Sequence, residues 1–168
     1  RIVCLTEETT EVLYALGAIR NVGTNVVDAM VAARNEKGRF ETFADFLSKV
    51  PAVVCNKRTI ESLIKAGAFD SLGATRRSLL RIHEEAVDAA VSLKRNEAAD
   101  QFDLFSSLGD DSLANALEVE VPDLPEWEKK DKLGFEREML GLYVSDHPLK
   151  GLDDMLASHA DMQVNRVL

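Results

Sequence analysis

Apolar residues recur at helical spacing in several stretches of the chain, and glycine, proline and capping residues mark where each stretch stops. Val22, Val26, Val27, Met30 and Ala33 share one face, which predicts a helix from about Thr24 to Glu36 that stops at Lys37-Gly38. Thr42, with Asp45 three residues on, reads as a capped start for a helix over 43–50 carrying Phe43, Phe46, Leu47 and Val50, and Pro51 ends it. Asn56 caps a helix over 57–66 that presents Ile60, Leu63 and Ile64 and closes at Gly67. The longest helix is predicted from Thr75 to about Ala99, with Leu79, Leu80, Ile82, Ala86, Val87, Ala90 and Val91 as its core stripe.

Two further helices follow a break. Pro125, at a first helical position, opens one that runs to Tyr143 with Trp127, Leu133, Met139, Leu140 and Leu142 on its buried side. Ser145 to Leu149 reads as a turn into a last helix bearing Leu152, Met155 and Leu156. At the other end, the apolar runs Ile2–Leu5 and Val12–Leu16 flank a polar stretch and predict a small hairpin or an extended opening segment. The fold class is mainly α, and 46% hydrophobic residues suffice to bury one core.

Charge divides the chain. The net charge of −9 seems to argue against a nucleic-acid partner, yet residues 1–99 carry +1, residues 100–131 carry −8 and residues 132–168 carry −2. Acidity is therefore concentrated where periodicity disappears, between Asp100 and Leu124, which reads as a solvated linker. Asp110-Asp111 fall in that stretch and read as solubilising charge. Cys4 and Cys55 are the only cysteines, far apart and without metal-ligand spacing, so both read as buried thiols of a reducing compartment. His83, His147 and His159 are scattered, and no nucleophile-base set or metal cluster is visible. No segment has the length to span a membrane, and the chain, which opens on Arg1, is expected to be a piece of a larger cytoplasmic protein.

The candidate chemistry lies in Ala18-Ile-Arg-Asn-Val-Gly23 and the helix start behind it. Asn21 and Gly23 tolerate a left-handed backbone, and a glycine lets a phosphate approach closely. The first amides of the following helix, at Thr24 and Asn25, have no internal acceptor and lie at the positive end of its dipole. This is the layout of a helix-hairpin-helix, with Arg20, Asn21, Gly23, Thr24 and Asn25 as its backbone-gripping residues. Asn21 stands where a first glycine is usual. The pair 43–50 and 57–66 repeats the plan without its glycine, as a degenerate second copy in which Lys57 and Arg58 either touch phosphate or simply solvate a helix start. Arg76, Arg77 and Arg81 oppose the dipole of the longest helix, which phosphate contact or solubility would explain. Read alone, the hairpin is equally a glycine-capped turn of any helical domain.

Four stretches together go further. Ala18–Gly23, Asn56-Lys-Arg through Leu63–Gly73, Gln101–Phe105, and Phe135–Leu149 resemble, in that order, the alpha subunit of bacterial DNA polymerase III. The resemblance implies a tandem helix-hairpin-helix DNA-binding domain over 1–99, an acidic linker over 100–124 and a helical segment over 125–168 that leads to an OB domain. It also implies that Gln101, Phe102, Asp103, Leu104 and Phe105 form a sliding-clamp-binding peptide. In that family the palm, with its metal-binding aspartates and Mg2+, lies upstream, so this segment is expected to have no catalytic residue, no cofactor and no polymerase activity of its own. The implied partners are duplex DNA, the beta sliding clamp and other replisome subunits, with no membrane. Rival readings are a structural helical scaffold and the hairpin region of a repair nuclease or ligase, the latter disfavoured by Gly141–Leu149.

Overall fold

A computed structural model describes residues 16–99 and 120–151. Among the described residues are five α-helices and no strand: α1 (Thr24–Lys37), α2 (Phe43–Lys49), α3 (Lys57–Ala66), α4 (Arg76–Ala99) and α5 (Lys129–Leu140), with a 3-10 turn at Asp70–Leu72. The predicted α fold is present, and the ends of α3 coincide with those the sequence predicts. Asn56 Oδ1 accepts from the amides of Arg58 and Thr59 at 3.0 and 3.4 Å, and Gly67 closes the helix at φ 83°. The α2 start is also as predicted: Thr42 Oγ1 accepts from the Asp45 amide at 3.1 Å, and Asp45 Oδ2 returns the bond to the Glu41 amide at 2.9 Å. The expected opening segment 2–16 lies, up to residue 15, outside the described residues, as do the clamp-binding peptide and the last helix.

Helix α3 is the centre of the fold, packing on both α4 and α5. Ile60, Leu63 and Ile64 are fully buried, each contributing roughly 1.5–3 kcal/mol by leaving water. Around them Phe40, Phe43, Phe46 and Phe69 meet edge to face, with ring centroids 4.9–5.4 Å apart, the arrangement that the ring quadrupole favours. His83 is buried with Nδ1 2.7 Å from the Leu80 carbonyl. The Cys55 thiol is buried too, and burial pushes its pKa up.

Three expectations are corrected. First, Arg76 is not a surface cation available to phosphate. It is buried at 4% exposure, forks onto Asp70 through Nε and Nη2 at 2.7 and 2.6 Å, and reaches the fully buried Glu136 through Nη1 at 3.0 Å. The Glu136 carboxylate also accepts from the amides of Val144 and Ser145 at 2.8 and 2.9 Å, so the charge pair and its remaining lone pairs are satisfied. Gly67 is needed here twice over, for its left-handed φ and because a Cβ would collide with the Arg76 guanidinium.

Second, the helix expected from Pro125 to Tyr143 is shorter at both ends. Glu126 is occupied elsewhere: its carboxylate accepts from the amides of Arg76, Arg77 and Trp127, capping α4 and offsetting the cations at that start. Gly141, left-handed at φ 76°, stops α5, which leaves Leu142 49% exposed rather than buried. Trp127 is half-buried against Phe135, 4.6 Å between centroids. Third, the expected solvated linker is tied down at its far end. Leu124 accepts from the Thr75 hydroxyl at 3.0 Å and donates its amide to Ser78 Oγ at 3.2 Å.

Candidate nucleic-acid interface

The first hairpin is built by two overlapping turns, Ile19 N–H to Leu16 O at 3.2 Å and Val22 N–H to Ile19 O at 3.1 Å, which bury Ile19 and Val22 in the core. Closing them requires one left-handed residue, and Asn21 supplies it at φ 65°, the only non-glycine with positive φ among the described residues. Gly23 does not share that conformation. At φ −77° and ψ 155° it is extended, and it serves as the N-cap of α1, so the reason for glycine is its bareness and not its φ. A Cβ at this position would meet only Asn25 Oδ1, at 2.7 Å, which is the end of a side chain that can turn away.

The Gly23 carbonyl accepts from the amides of Val26 and Val27. Among the described residues nothing accepts from the amides of Thr24 and Asn25, and Gly23 has no side chain to do so. Gly23, Thr24 and Asn25 are all exposed, and the first turn of α1 carries no acidic residue. Two open amides at the positive end of a 14-residue helix form a place where an anionic oxygen is favoured. Arg20, one residue before the turn, is exposed with no ion pair among the described residues.

The second hairpin has a different chemistry. The Asn56 side chain, at its N-cap, holds the second and third amides of α3, those of Arg58 and Thr59, so that only the first, that of Lys57, matches the open amides of α1. Lys57 is paired with Asp88 at 2.7 Å, and that hydrogen bond raises its pKa. Arg58 is exposed and carries no ion pair among the described residues. The two hairpins meet: Asn21 Nδ2 donates to Ser62 Oγ at 3.1 Å, and the Thr59 hydroxyl donates to the Asn21 carbonyl at 3.3 Å. Asn21, although exposed, therefore joins the hairpins through its side-chain amide and its carbonyl. Of the seven residues singled out in the sequence, Arg20, Gly23, Thr24, Asn25 and Arg58 remain open to a ligand.

No candidate metal centre competes with this surface, since no group of three or more His, Cys, Asp or Glu is gathered among the described residues. After α5, Asp146 accepts from the His147 amide and pairs with Lys129 and Lys150, which lowers its pKa to about 2. The residues that sequence reasoning missed are Glu126, Glu136 and the hydroxyls of Thr59 and Ser62. Glu136 had a visible signal, because it falls between Leu133 and Met139 on the buried face of its helix.

A tight turn that ends in open helix-start amides, followed by the helix pair α2 and α3, is the layout of a helix-hairpin-helix unit. The family described as helix-hairpin-helix motif matches residues 2–79. Over most of its length the chain is similar to the DNA polymerase III subunit alpha of several bacteria. It is 50% identical to that of Mycobacterium tuberculosis over 161 residues, 94% of this chain and 13% of the relative. It is 52% identical to that of Saccharopolyspora erythraea over 156 residues, 90% and 13% of the two, and 40% identical to that of Campylobacter jejuni over 142 residues, 82% and 11%. The chain matches a segment of DNA polymerase III subunit alpha and spans about 13% of the length of the first of these relatives.

Proposed function

We propose that this segment grips duplex DNA by its backbone, without regard to base sequence, and ties the parent polymerase to its sliding clamp. The observation that carries the first half is the pair of unoccupied amides at Thr24 and Asn25 behind a bare Gly23. Phosphate oxygens are the anions a duplex offers at such a site, and Arg20 and Arg58 supply countercharge beside it. Among the described residues no helix carries a dense run of Arg, Asn and Gln of the kind that reads base edges in a groove. A purely structural role for the hairpin leaves those amides without a purpose.

The second half rests on Gln101, Phe102, Asp103, Leu104 and Phe105, whose order resembles a clamp-binding peptide. Leu104 and Phe105 would enter an apolar pocket while Gln101 hydrogen-bonds at its mouth. Those two side chains contribute roughly 1.5–3 kcal/mol each, offset by the ordering of the segment, which fits a micromolar contact. The reaction of the parent is DNA-directed DNA synthesis in the cytoplasm, with Mg2+ and the palm carboxylates belonging to parts outside this chain. Other replisome subunits are further partners of that whole protein.

Titration of labelled duplexes of unrelated sequence at several salt concentrations tests the grip. Equal affinities that fall with salt are expected, and Gly23→Val should weaken them while leaving the helical signal intact. Strong sequence preference, or affinity unmoved by salt, overturns it. Leu104→Ala with Phe105→Ala should abolish clamp binding and spare duplex binding. Clamp binding that survives in this variant removes the second half.

A further inference from the structure

We propose that Thr59 and Ser62 of α3 are positioning residues for the grip, holding the Asn21 turn in the one conformation that presents the Thr24 and Asn25 amides. The inference rests on the DNA reading above and adds to it the machinery that aims the hairpin.

Thr59 and Ser62 are polar yet only 6% and 2% exposed, and neither belongs to the apolar stripe of Ile60, Leu63 and Ile64. A buried hydroxyl is costly unless it is bonded, so its partner says what it is for. Each is bonded to Asn21, and Ser62 to its own helix as well. The Thr59 hydroxyl donates to its carbonyl at 3.3 Å, and Ser62 Oγ accepts from its side-chain amide at 3.1 Å. Ser62 in turn donates to the Arg58 carbonyl at 2.9 Å, which orients its lone pair toward Asn21. From the other side, the Arg20 amide donates to the Met139 carbonyl of α5 at 2.9 Å.

Asn21 at φ 65° is in a conformation that L residues visit reluctantly, and the bonds from α3 are what select it. If the turn relaxes, Val22 and Gly23 swing and the two open amides no longer face outward together. Arg58 lies beside Thr59 in the same turn of α3, so the same bonds set the spacing between this cation and the amides. Two groups that contact neighbouring phosphates gain from a spacing fixed beforehand, because the ordering cost is met in folding and not in binding.

The experiment uses the full chain with Thr59→Val, Ser62→Ala, Thr59→Ser and Asn21→Gly. Two readouts are taken: exchange of the Arg20 and Val22 amides without DNA, and anisotropy of a labelled duplex across salt. Thr59→Val with Ser62→Ala should speed exchange at both amides and weaken duplex binding roughly three- to tenfold, the worth of one or two hydrogen bonds. The salt slope should not change, since the phosphates contacted are the same. Thr59→Ser restores the hydroxyl and should bind as the unsubstituted chain does. Asn21→Gly keeps the left-handed turn but loses the partner of Ser62, so adding Ser62→Ala to it should cost nothing more. That cycle decides the matter if the Thr59 variant does not fold. Additive losses in the cycle, or unchanged affinity in the folded variants, overturn the proposal and leave the DNA reading standing. Absence of salt-dependent binding by the unsubstituted chain overturns both.

Discussion

The two hairpins use opposite means to begin a helix. Hairpin two fills the start of α3 with the side chain of Asn56, which holds the amides of Arg58 and Thr59. Hairpin one leaves the start of α1 bare, with Gly23 as cap and the amides of Thr24 and Asn25 open. A side-chain cap contributes about 1 kcal/mol over alanine but only a few tenths over glycine, so the capped copy is the slightly more stable design. The uncapped copy forgoes that bond and keeps the positive end of its helix for an anion. Under the proposed grip on DNA, then, stability and binding fall to different copies of one repeated plan. The contact of Asn21 with Thr59 and Ser62 lets the stable copy hold the open one.

The largest test of that division removes the base on which hairpin two stands. Arg76 ties the Lys65 carbonyl, Asp70 and Glu136 together, so Arg76→Ala leaves Glu136 buried without its charge partner. A loss of about 3–5 kcal/mol in a denaturant titration is expected. A loss within ~0.5 kcal/mol, as at an ordinary surface position, would mean that α3 is supported by its apolar stripe alone.

Acid should reach the same junction. Burial raises the pKa of Glu136, but the Ser145 and Val144 amides, the Ser145 side chain and the Arg76 charge together outweigh it, so the folded value lies below the ordinary 4.5. A depressed carboxylate contributes stability that is fully present above its unfolded value and is lost as pH falls through the folded one. Unfolding midpoints should therefore decline below about 4.5, and Glu136→Gln should flatten part of that decline. Identical acid limbs in the two proteins would assign the decline to Glu126 and Asp146 instead, whose pKa values are also lowered.

The smallest effect draws the contrast most sharply, by exchanging the caps. Asn56→Ala should cost about 1 kcal/mol of stability and leave duplex affinity alone, while Gly23→Ser should change stability by a few tenths and weaken duplex binding by placing a hydroxyl at the open amides. Circular-dichroism melts and duplex titrations on both variants read the two quantities separately. If Asn56→Ala alters binding as much as Gly23→Ser does, the copies are not divided in this way.

What the sequence revealed depended on distance along the chain. The ends of α3 were legible because both signals, Asn56 and Gly67, are local and act on the adjacent backbone. The left-handed Asn21 was legible for the same reason. Arg76 was misjudged because its partner Glu136 stands 60 residues away, and a cation at a helix start looks solvated until that partner is in view. The start of α5 failed likewise, since Glu126 caps a helix 50 residues earlier in sequence rather than its own. The helix-hairpin-helix and DNA polymerase III alpha-subunit resemblance was legible because it rests on contiguous motifs.

The Arg76–Glu136 pair also bears on how this segment can diverge among its relatives. Each partner is at most 5% exposed, so losing either alone strands a charge in the core, whereas Asp70, with its side chain 43% exposed, can return to water. Substitutions at 76 and 136 should therefore appear together or not at all, while 70 drifts more freely. Gly67 is drawn into the same covariation: only in lineages where position 76 has given up its guanidinium is there room for a side chain at 67, and even there the left-handed φ restricts which.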